Sequence, residues 1–161
     1  MLNTTLCHIE KDGKYLMLHR VKKKNDLNHD KWVGIGGKFE ENESPEECNA
    51  REVLEETGLT IINAKYRCVV TFISDVWENE LMHVFTSKAF TGTVKECNEG
   101  ELVWIEKEKL YDLPIWEGDK IFLKLIEDED YPFFSLKLVY EGDCLADARL
   151  NNKKIDFKEF L

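Results

Sequence analysis

The pattern of apolar and polar positions, together with turn signals and β-branched runs, predicts the strands of this chain. Residues 2–9 and 15–20 lie on either side of a Lys-Asp-Gly-Lys turn and predict a β-hairpin. Residues 61–73 and 82–90 are rich in β-branched and aromatic side chains and predict two longer strands. The remaining predictions are strands at residues 31–39, 102–105 and 133–140 and a polar loop at residues 21–31.

A helix beginning at residue 45 is predicted from its start and stop signals. Ser44 suits the N-cap position, Pro45 the first helical position, and Glu47 completes a capping box. Gly58 provides the stop, because glycine accepts the left-handed conformation at a helix C-terminus. The apolar stripe is predicted to consist of Ala50, Val53, Leu54 and Thr57.

Strands and helices are mixed along the chain, and their order predicts the fold class. Apolar residues at helical spacing predict a second amphipathic helix at residues 119–128. This order predicts an α+β domain with helices packed on a curved mixed sheet. With 161 residues, we expect a single domain at residues 1–150, followed by a C-terminal tail at residues 151–161 that the pattern does not place.

Three carboxylates occupy the side of the first helix opposite the predicted stripe. Glu52, Glu55 and Glu56 stand at positions i, i+3 and i+4, where like charges weaken the helix by roughly 0.5–1 kcal/mol. The cluster is either a solvated acidic face or a site for a hard cation. Oxygen ligands suit Mg²⁺ or Mn²⁺, and Mg²⁺ commonly bridges carboxylates to substrate phosphates. The glycines within residues 34–37 form either an ordinary turn or further backbone ligands.

The pattern across these residues resembles the signature of the Nudix hydrolases at every fixed position. Gly37 is followed after five residues by Glu43, and after seven more by Arg-Glu-Val-Leu-Glu-Glu-Thr-Gly-Leu at residues 51–59. The resemblance implies hydrolysis of a nucleoside diphosphate linked to another group. It also implies an α/β/α sandwich.

The resemblance assigns roles to individual residues of the signature. It implies that the three helix carboxylates bind divalent metal, Mg²⁺ or Mn²⁺, and that one of them also serves as the base. Glu52 and Glu56 are both candidates for the base, with Glu52 as first choice. Arg51 is expected to pair with Glu43 and hold the helix against its loop. The Gly36 carbonyl resembles a further metal ligand.

Outside the signature the chain is similar to the MutT-type branch, which hydrolyses oxidised purine nucleotides such as 8-oxo-dGTP. The similar residues are Lys31-Trp32-x-Gly34-x-Gly36-Gly37-Lys38, Glu99 with Trp104, and Leu113-Pro114-x-Trp116-x-Gly118-Asp119. The resemblance implies that Trp116 and Asp119 contact the base; otherwise they are a core aromatic and a helix-start acid. Glu99 resembles a loop carboxylate that joins the metal, or is an exposed acid. Val33 replaces an asparagine of close animal relatives, which removes a base-reading amide.

Composition limits the partners and the location of the protein. The net charge of −10 argues against stable nucleic-acid binding, which needs a basic face, and fits a small nucleotide substrate carried in with its metal. Five scattered cysteines without a CxxC pair predict reduced thiols. No apolar run could cross a membrane, and the amino terminus lacks signal-peptide features, so a cytoplasmic monomer or small homo-oligomer is expected.

The expected reaction is metal-assisted hydrolysis that releases a nucleoside monophosphate and pyrophosphate. Lys23, within the only basic run at residues 22–24, and Lys38 are the candidate phosphate-binding lysines, although the basic run can also be a solvated loop. Three alternatives stay open. The substrate could be another diphosphate such as ADP-ribose or a dinucleoside polyphosphate, or an RNA 5′ end, or the chain could be a nucleotide-binding regulator without turnover.

Overall fold

The computed structural model describes residues 1–22 and 25–161, which form mixed β-structure flanked by helices. The strands are β1 (Leu2–Lys11), β2 (Lys14–His19), β3 (Trp32–Val33), β4 (Thr60–Ser74), β5 (Glu80–Thr91), β6 (Glu101–Glu106), β7 (Phe134–Glu141), β8 (Cys144–Leu150) and β9 (Lys153–Lys154). The α-helices are α1 (Pro45–Thr57) and α2 (Asp119–Ile126), and 3₁₀-helices cover Lys107–Asp112 and Phe157–Phe160. The predicted α+β class and α/β/α sandwich are confirmed. No helix in the described ranges is long and apolar enough to cross a membrane.

Two parts of the sheet meet at β1. The larger part has the order β1-β5-β4-β7-β8-β9, in which β1–β5 and β4–β7 are parallel and the other neighbours antiparallel. In the smaller part, β3 and β6 pair with β2, which also pairs with the end of β1. A parallel pair needs a crossover connection, and α1 lies in the connection between β1 and β5, packed on β1 and β4.

The core is divided between the two helices. Successive side chains of a strand point to opposite faces, and β2 shows this directly. Tyr15 and Met17 belong to the hydrophobic cluster that contains α2, whereas Leu16 and Leu18 belong to the cluster that contains Val53 of α1. This strand is therefore covered on both faces.

The glycine segment is less regular than the strand predicted at residues 31–39. Only Trp32–Val33 is a strand, and beyond it Ile35 and Lys38 form single bridges with Cys7 and Thr4. This irregular path brings the backbone of the segment against β1.

The C-terminal residues that the sequence pattern did not place belong to the larger sheet and the core. Strand β9 pairs with β8, and Phe157 and Phe160 pack against the cluster that contains α2. Lys124 of α2 donates a hydrogen bond to the Phe160 carbonyl at 2.5 Å. The turn between the strands is formed by Asn151 and Asn152, both with positive φ (49° and 66°). Such an Asn-Asn pair is a hairpin signal that could have predicted β8 and β9.

Candidate active site

Helix α1 begins and ends where the sequence predicted. Ser44 and Glu47 form the capping box: the Glu47 N–H donates to Ser44 Oγ at 3.1 Å, and the Ser44 N–H donates to Glu47 Oε1 at 3.0 Å. Gly58 has φ 79° and donates its N–H to the Leu54 carbonyl at 3.0 Å. The helix ends are thus fixed by local interactions.

The buried face of α1 is rotated relative to the predicted stripe. Its buried residues are Cys48, Asn49, Val53 and Thr57. The prediction was wrong for Ala50, which is exposed, and for Leu54, which is 49% exposed. The rotation places Glu52 and Glu56 next to the buried face, where both side chains are only partly exposed. These two carboxylates therefore lose hydration that a fully solvated acidic face would keep.

Arg51 binds several acidic residues of the candidate site. Nε and one terminal nitrogen donate to the two oxygens of Glu43 at 2.6 and 2.9 Å, and this pairing lowers the pKa of Glu43 to about 2. The same terminal nitrogen donates to the Lys38 carbonyl at 3.0 Å. The other terminal nitrogen donates to Glu52 Oε1 at 2.8 Å and Glu55 Oε2 at 3.2 Å. Arg51 therefore acts through the carboxylates that it holds.

Six acidic residues of the described ranges line a cavity of about 600 Å³, and Glu52, Glu56 and Glu99 are among them. Burial, and next the charge of Glu99, raise the pKa of Glu56 well above its usual range. Burial also raises the pKa of Glu52, although its hydrogen bond with Arg51 acts in the opposite direction. Among the described residues, Glu56 Oε2 is buried without a hydrogen-bond partner. Such an atom is costly unless a ligand satisfies it.

The chemistry of these donors fits a hard divalent cation, although they are not gathered as ready ligands. In the described ranges, no three acidic, histidine or cysteine side chains stand close enough to hold an ion. Basic partners explain part of this separation, because Arg51 binds Glu52 and Arg20 binds Glu99 at 2.9 Å. A cation at the buried oxygen of Glu56 would satisfy that atom and would also favour its ionised form.

Glu55 stands apart from the other predicted metal ligands. Its side chain is 57% exposed and accepts from Arg51, whereas Glu52 is 14% exposed and lines the cavity. Glu55 would have to leave Arg51 to join a cation held by Glu52 and Glu56.

The glycine segment brings a backbone carbonyl to the same cavity. The carbonyls of Ile35 and Gly37 accept from Cys7 and Thr5 of β1, at 2.6 and 2.9 Å. The carbonyl of the intervening Gly36 takes no part in these two hydrogen bonds. Gly36 lines the cavity. Its carbonyl is thus available where the resemblance implies a metal ligand.

Trp116 and Asp119, around the start of α2, line the same cavity. Trp116 is 5% exposed, its Nε1 donates to Asn28 Oδ1 at 2.7 Å, and the Lys31 ammonium lies 4.6 Å from the centre of its ring. The indole is therefore both a core aromatic and a wall of the cavity. Asp119 is 9% exposed, and burial raises its pKa to about 7. When protonated, its carboxyl group can both donate and accept a hydrogen bond.

Arg20 and Asn28 line the cavity, although the sequence did not single them out. Arg20 donates to Asp26 at 2.8 Å as well as to Glu99, which ties the loop after β2 to residue 99. The Asn28 N–H donates to Asp26 Oδ1 at 3.2 Å, and its side chain accepts from Trp116. No local sequence signal marks these two positions, because only tertiary pairing brings them to the site.

Lys38 and Val33 also line the cavity, and Val33 is 8% exposed. Lys38 therefore remains a candidate for binding substrate phosphates. Val33 presents an aliphatic surface where the resemblance places a base-reading amide in close animal relatives. The other predicted phosphate-binding residue, Lys23, lies outside the described residues.

Comparison with known proteins agrees with the signature. A family model described as NUDIX domain matches residues 2–126. The uncharacterised Nudix hydrolase YvcI of Bacillus subtilis is 34% identical over 71% of this chain and 72% of its own. An oxidized purine nucleoside triphosphate hydrolase of Danio rerio is 30% identical over 76% of this chain and 77% of its own. A CTP pyrophosphohydrolase of Escherichia coli is 28% identical over 74% of this chain and 86% of its own.

Solved structures show the same fold over nearly the full length. The crystal structure of a MutT protein from Bacillus halodurans superposes with a TM-score of 0.81 and 27% sequence identity, covering 95% of this chain and 99% of that protein. The family match spans α1, its glycine segment and most of the sheet. The chain therefore belongs to the Nudix hydrolase family.

Proposed function

We propose that this Nudix hydrolase is a Mg²⁺-dependent pyrophosphohydrolase of oxidised purine deoxynucleoside triphosphates, such as 8-oxo-dGTP. The products are the nucleoside monophosphate and pyrophosphate. One observation carries the proposal: Glu52 and Glu56 of α1 line the same cavity as Trp116 and Asp119 near α2. Candidate cation ligands therefore line the same cavity as aromatic and hydrogen-bonding groups that could contact a base. The similarity to an oxidized purine nucleoside triphosphate hydrolase supports this substrate class.

The residues that would hold the cation are Glu52, Glu56, Glu99 and the carbonyl of Gly36. When bound, Mg²⁺, or Mn²⁺ in its place, supplies Lewis-acid activation of a phosphate and lowers the pKa of a water molecule. Glu99 would exchange part of its pairing with Arg20 for this ligand role. Lys38 lines the cavity and is positioned to neutralise phosphate charge.

Glu52 is our first choice for the base that accepts the proton of the attacking water. Arg51 holds its Oε1 at 2.8 Å, so the carboxylate has a defined orientation, while burial raises its pKa and makes it a better proton acceptor. Glu56 is the second candidate. Glu56 is more deeply buried than Glu52, which fits a metal ligand whose negative charge is stabilised by the cation.

Trp116 and Asp119 form a part of the cavity lining that can recognise a purine. A base that stacks on the face of an indole gains on the order of 1–3 kcal/mol of binding free energy. The Asp119 carboxyl group has a pKa raised to about 7 and can bond to both donors and acceptors of a purine edge. Val33, in contrast, offers no hydrogen bond. Base selection is therefore expected to depend on Trp116 and Asp119.

A nucleotide panel tests the proposed substrate. With Mg²⁺ and chromatographic measurement of the nucleoside monophosphate product, kcat/KM for 8-oxo-dGTP is expected to exceed that for dGTP, CTP and ADP-ribose by about tenfold or more, because a site that hydrogen-bonds specific groups rejects analogues that lack them. Glu52→Gln protein, purified identically, controls for contaminating phosphatases. Equal or better turnover of dGTP, CTP or ADP-ribose would reject this substrate class. Binding without turnover of any nucleotide would instead indicate a regulator.

A further inference from the structure

Strand β7 completes the cavity from a part of the chain beyond the family match, which ends at residue 126. Its residues alternate between buried and exposed or half-buried positions, so Leu138 and Tyr140 point to the same face. Both line the cavity, and their strand pairs in parallel with β4, where Leu138 is opposite Phe72. The C-terminal region thus contributes directly to the site.

The hydroxyl group of Tyr140 fixes the start of α2. The Gly118 N–H donates to Tyr140 Oη at 2.7 Å in a buried hydrogen bond. A Cβ atom on Gly118 would lie 2.6 Å from that oxygen and 2.4 Å from Leu138 Cδ1, so only glycine allows this approach. Asp119 follows directly, and its position therefore depends on how Gly118 is held.

The ring of Tyr140 fixes Trp116. The two rings meet edge to face, with centroids 4.9 Å apart and planes at 75°, and Tyr140 also contacts Phe72 at 5.3 Å. Phe72 in turn meets Trp116 edge to face at 5.6 Å. Edge-to-face aromatic contacts of this kind restrict ring orientation. One side chain thus positions both groups that the base is expected to contact.

We propose that Tyr140 is the positioning residue for base selection, acting through Trp116 and Asp119. The inference rests on the proposed function, because it takes that wall of the cavity as the base-recognition surface. The carboxylates Glu52 and Glu56 lie on α1, whereas Tyr140 contacts Gly118 and Trp116 next to α2. Tyr140 therefore affects which base binds and leaves the hydrolytic step unchanged.

The variant Tyr140→Phe keeps the ring and removes the hydroxyl group. Cation-free titration with the nucleoside 8-oxo-2′-deoxyguanosine, followed by tryptophan fluorescence, excludes phosphate and metal contacts. The dissociation constant of this nucleoside is expected to be about tenfold higher for the variant than for the wild type. This is the effect of losing one hydrogen bond that positions a recognition group. In turnover assays, KM for 8-oxo-dGTP rises while kcat stays within about twofold, and the kcat/KM ratio of 8-oxo-dGTP to CTP falls about tenfold.

Tyr131→Phe is the matched control, since Tyr131 packs edge to face on Phe134 at 5.5 Å and is not among the residues lining the cavity. It should change neither nucleoside affinity nor the substrate ratio. Thermal unfolding verifies that both variants are folded at the assay temperature. The inference is overturned if the wild-type enzyme is selective and Tyr140→Phe keeps both the nucleoside affinity and the kcat/KM ratio of 8-oxo-dGTP to CTP. It is also overturned if the variant lowers kcat alone. A wild-type enzyme with no preference for 8-oxo-dGTP removes the proposed function itself.

Discussion

Replacing Glu56 or Glu52 by glutamine is expected to lower kcat by about 10²–10⁴-fold while the protein remains folded. Glutamine keeps the shape of the side chain but cannot become the charged ligand or the proton acceptor. Both positions line the cavity beside the buried face of α1, so little of their function can be taken over by water. Steady-state hydrolysis with saturating Mg²⁺ measures the loss, and circular dichroism checks the fold.

Glu55→Gln provides the control on the same helix. Glu55 is 57% exposed and pairs with Arg51, so we expect less than about a tenfold loss, in line with the small value of exposed ion pairs. Near-full activity of both Glu52→Gln and Glu56→Gln would contradict the assignment of the site. A loss in Glu55→Gln as large as in Glu56→Gln would show that Glu55 leaves Arg51 to join the cation.

Gly36→Ala is expected to destabilise the protein by about 3 kcal/mol or more, beyond the usual range for overpacking a core. A Cβ atom there would lie 1.7 Å from the Thr5 carbonyl oxygen and 2.5 Å from its carbon, which are backbone atoms of β1. The two backbone segments must therefore separate. Urea denaturation with and without the substitution measures the change in the free energy of unfolding.

The adjacent Gly37→Ala substitution is a matched comparison with a different outcome. Its Cβ atom would meet the end of the Glu52 side chain, 2.5 Å from Cδ, and this flexible group can move. We expect a stability loss of about 1 kcal/mol or less but a clear loss of kcat, because Glu52 is displaced from the cavity. Similar stability losses in both variants would show that the close approach of Gly36 to β1 is not required.

The sequence predicted the elements that local interactions determine. Ser44, Glu47 and Gly58 specify the ends of α1 through bonds within a few residues, and both ends were predicted correctly. The rotation of the helix was not predicted, because its inner face carries the polar Asn49; Thr57 lies on that face as predicted. The hydroxyl of Thr57 bonds to the Val53 carbonyl at 2.6 Å, so it can be buried at low cost.

The rest of the site depends on contacts between distant segments. Arg20 reaches Glu99 across 79 positions, and Tyr140 reaches Gly118 across 22. Neither position carries a pattern that distinguishes it from an ordinary surface arginine or core tyrosine. The signature at residues 37–59 predicted Glu52 and Glu56 of the cavity lining, whereas Leu138 and Tyr140 reach the cavity from β7, far outside that signature.

Calorimetric titration with Mn²⁺ in two buffers of different ionisation enthalpy tests the central claim most directly. Burial and the charge of Glu99 raise the pKa of Glu56 in the cation-free protein, and a bound cation lowers it again. Binding should therefore release protons and tighten as the pH rises, and Glu56→Gln should bind at least about tenfold more weakly without that release. If Mn²⁺ binds the wild type and Glu56→Gln with equal affinity and equal proton release, Glu56 does not hold the cation and the account is wrong.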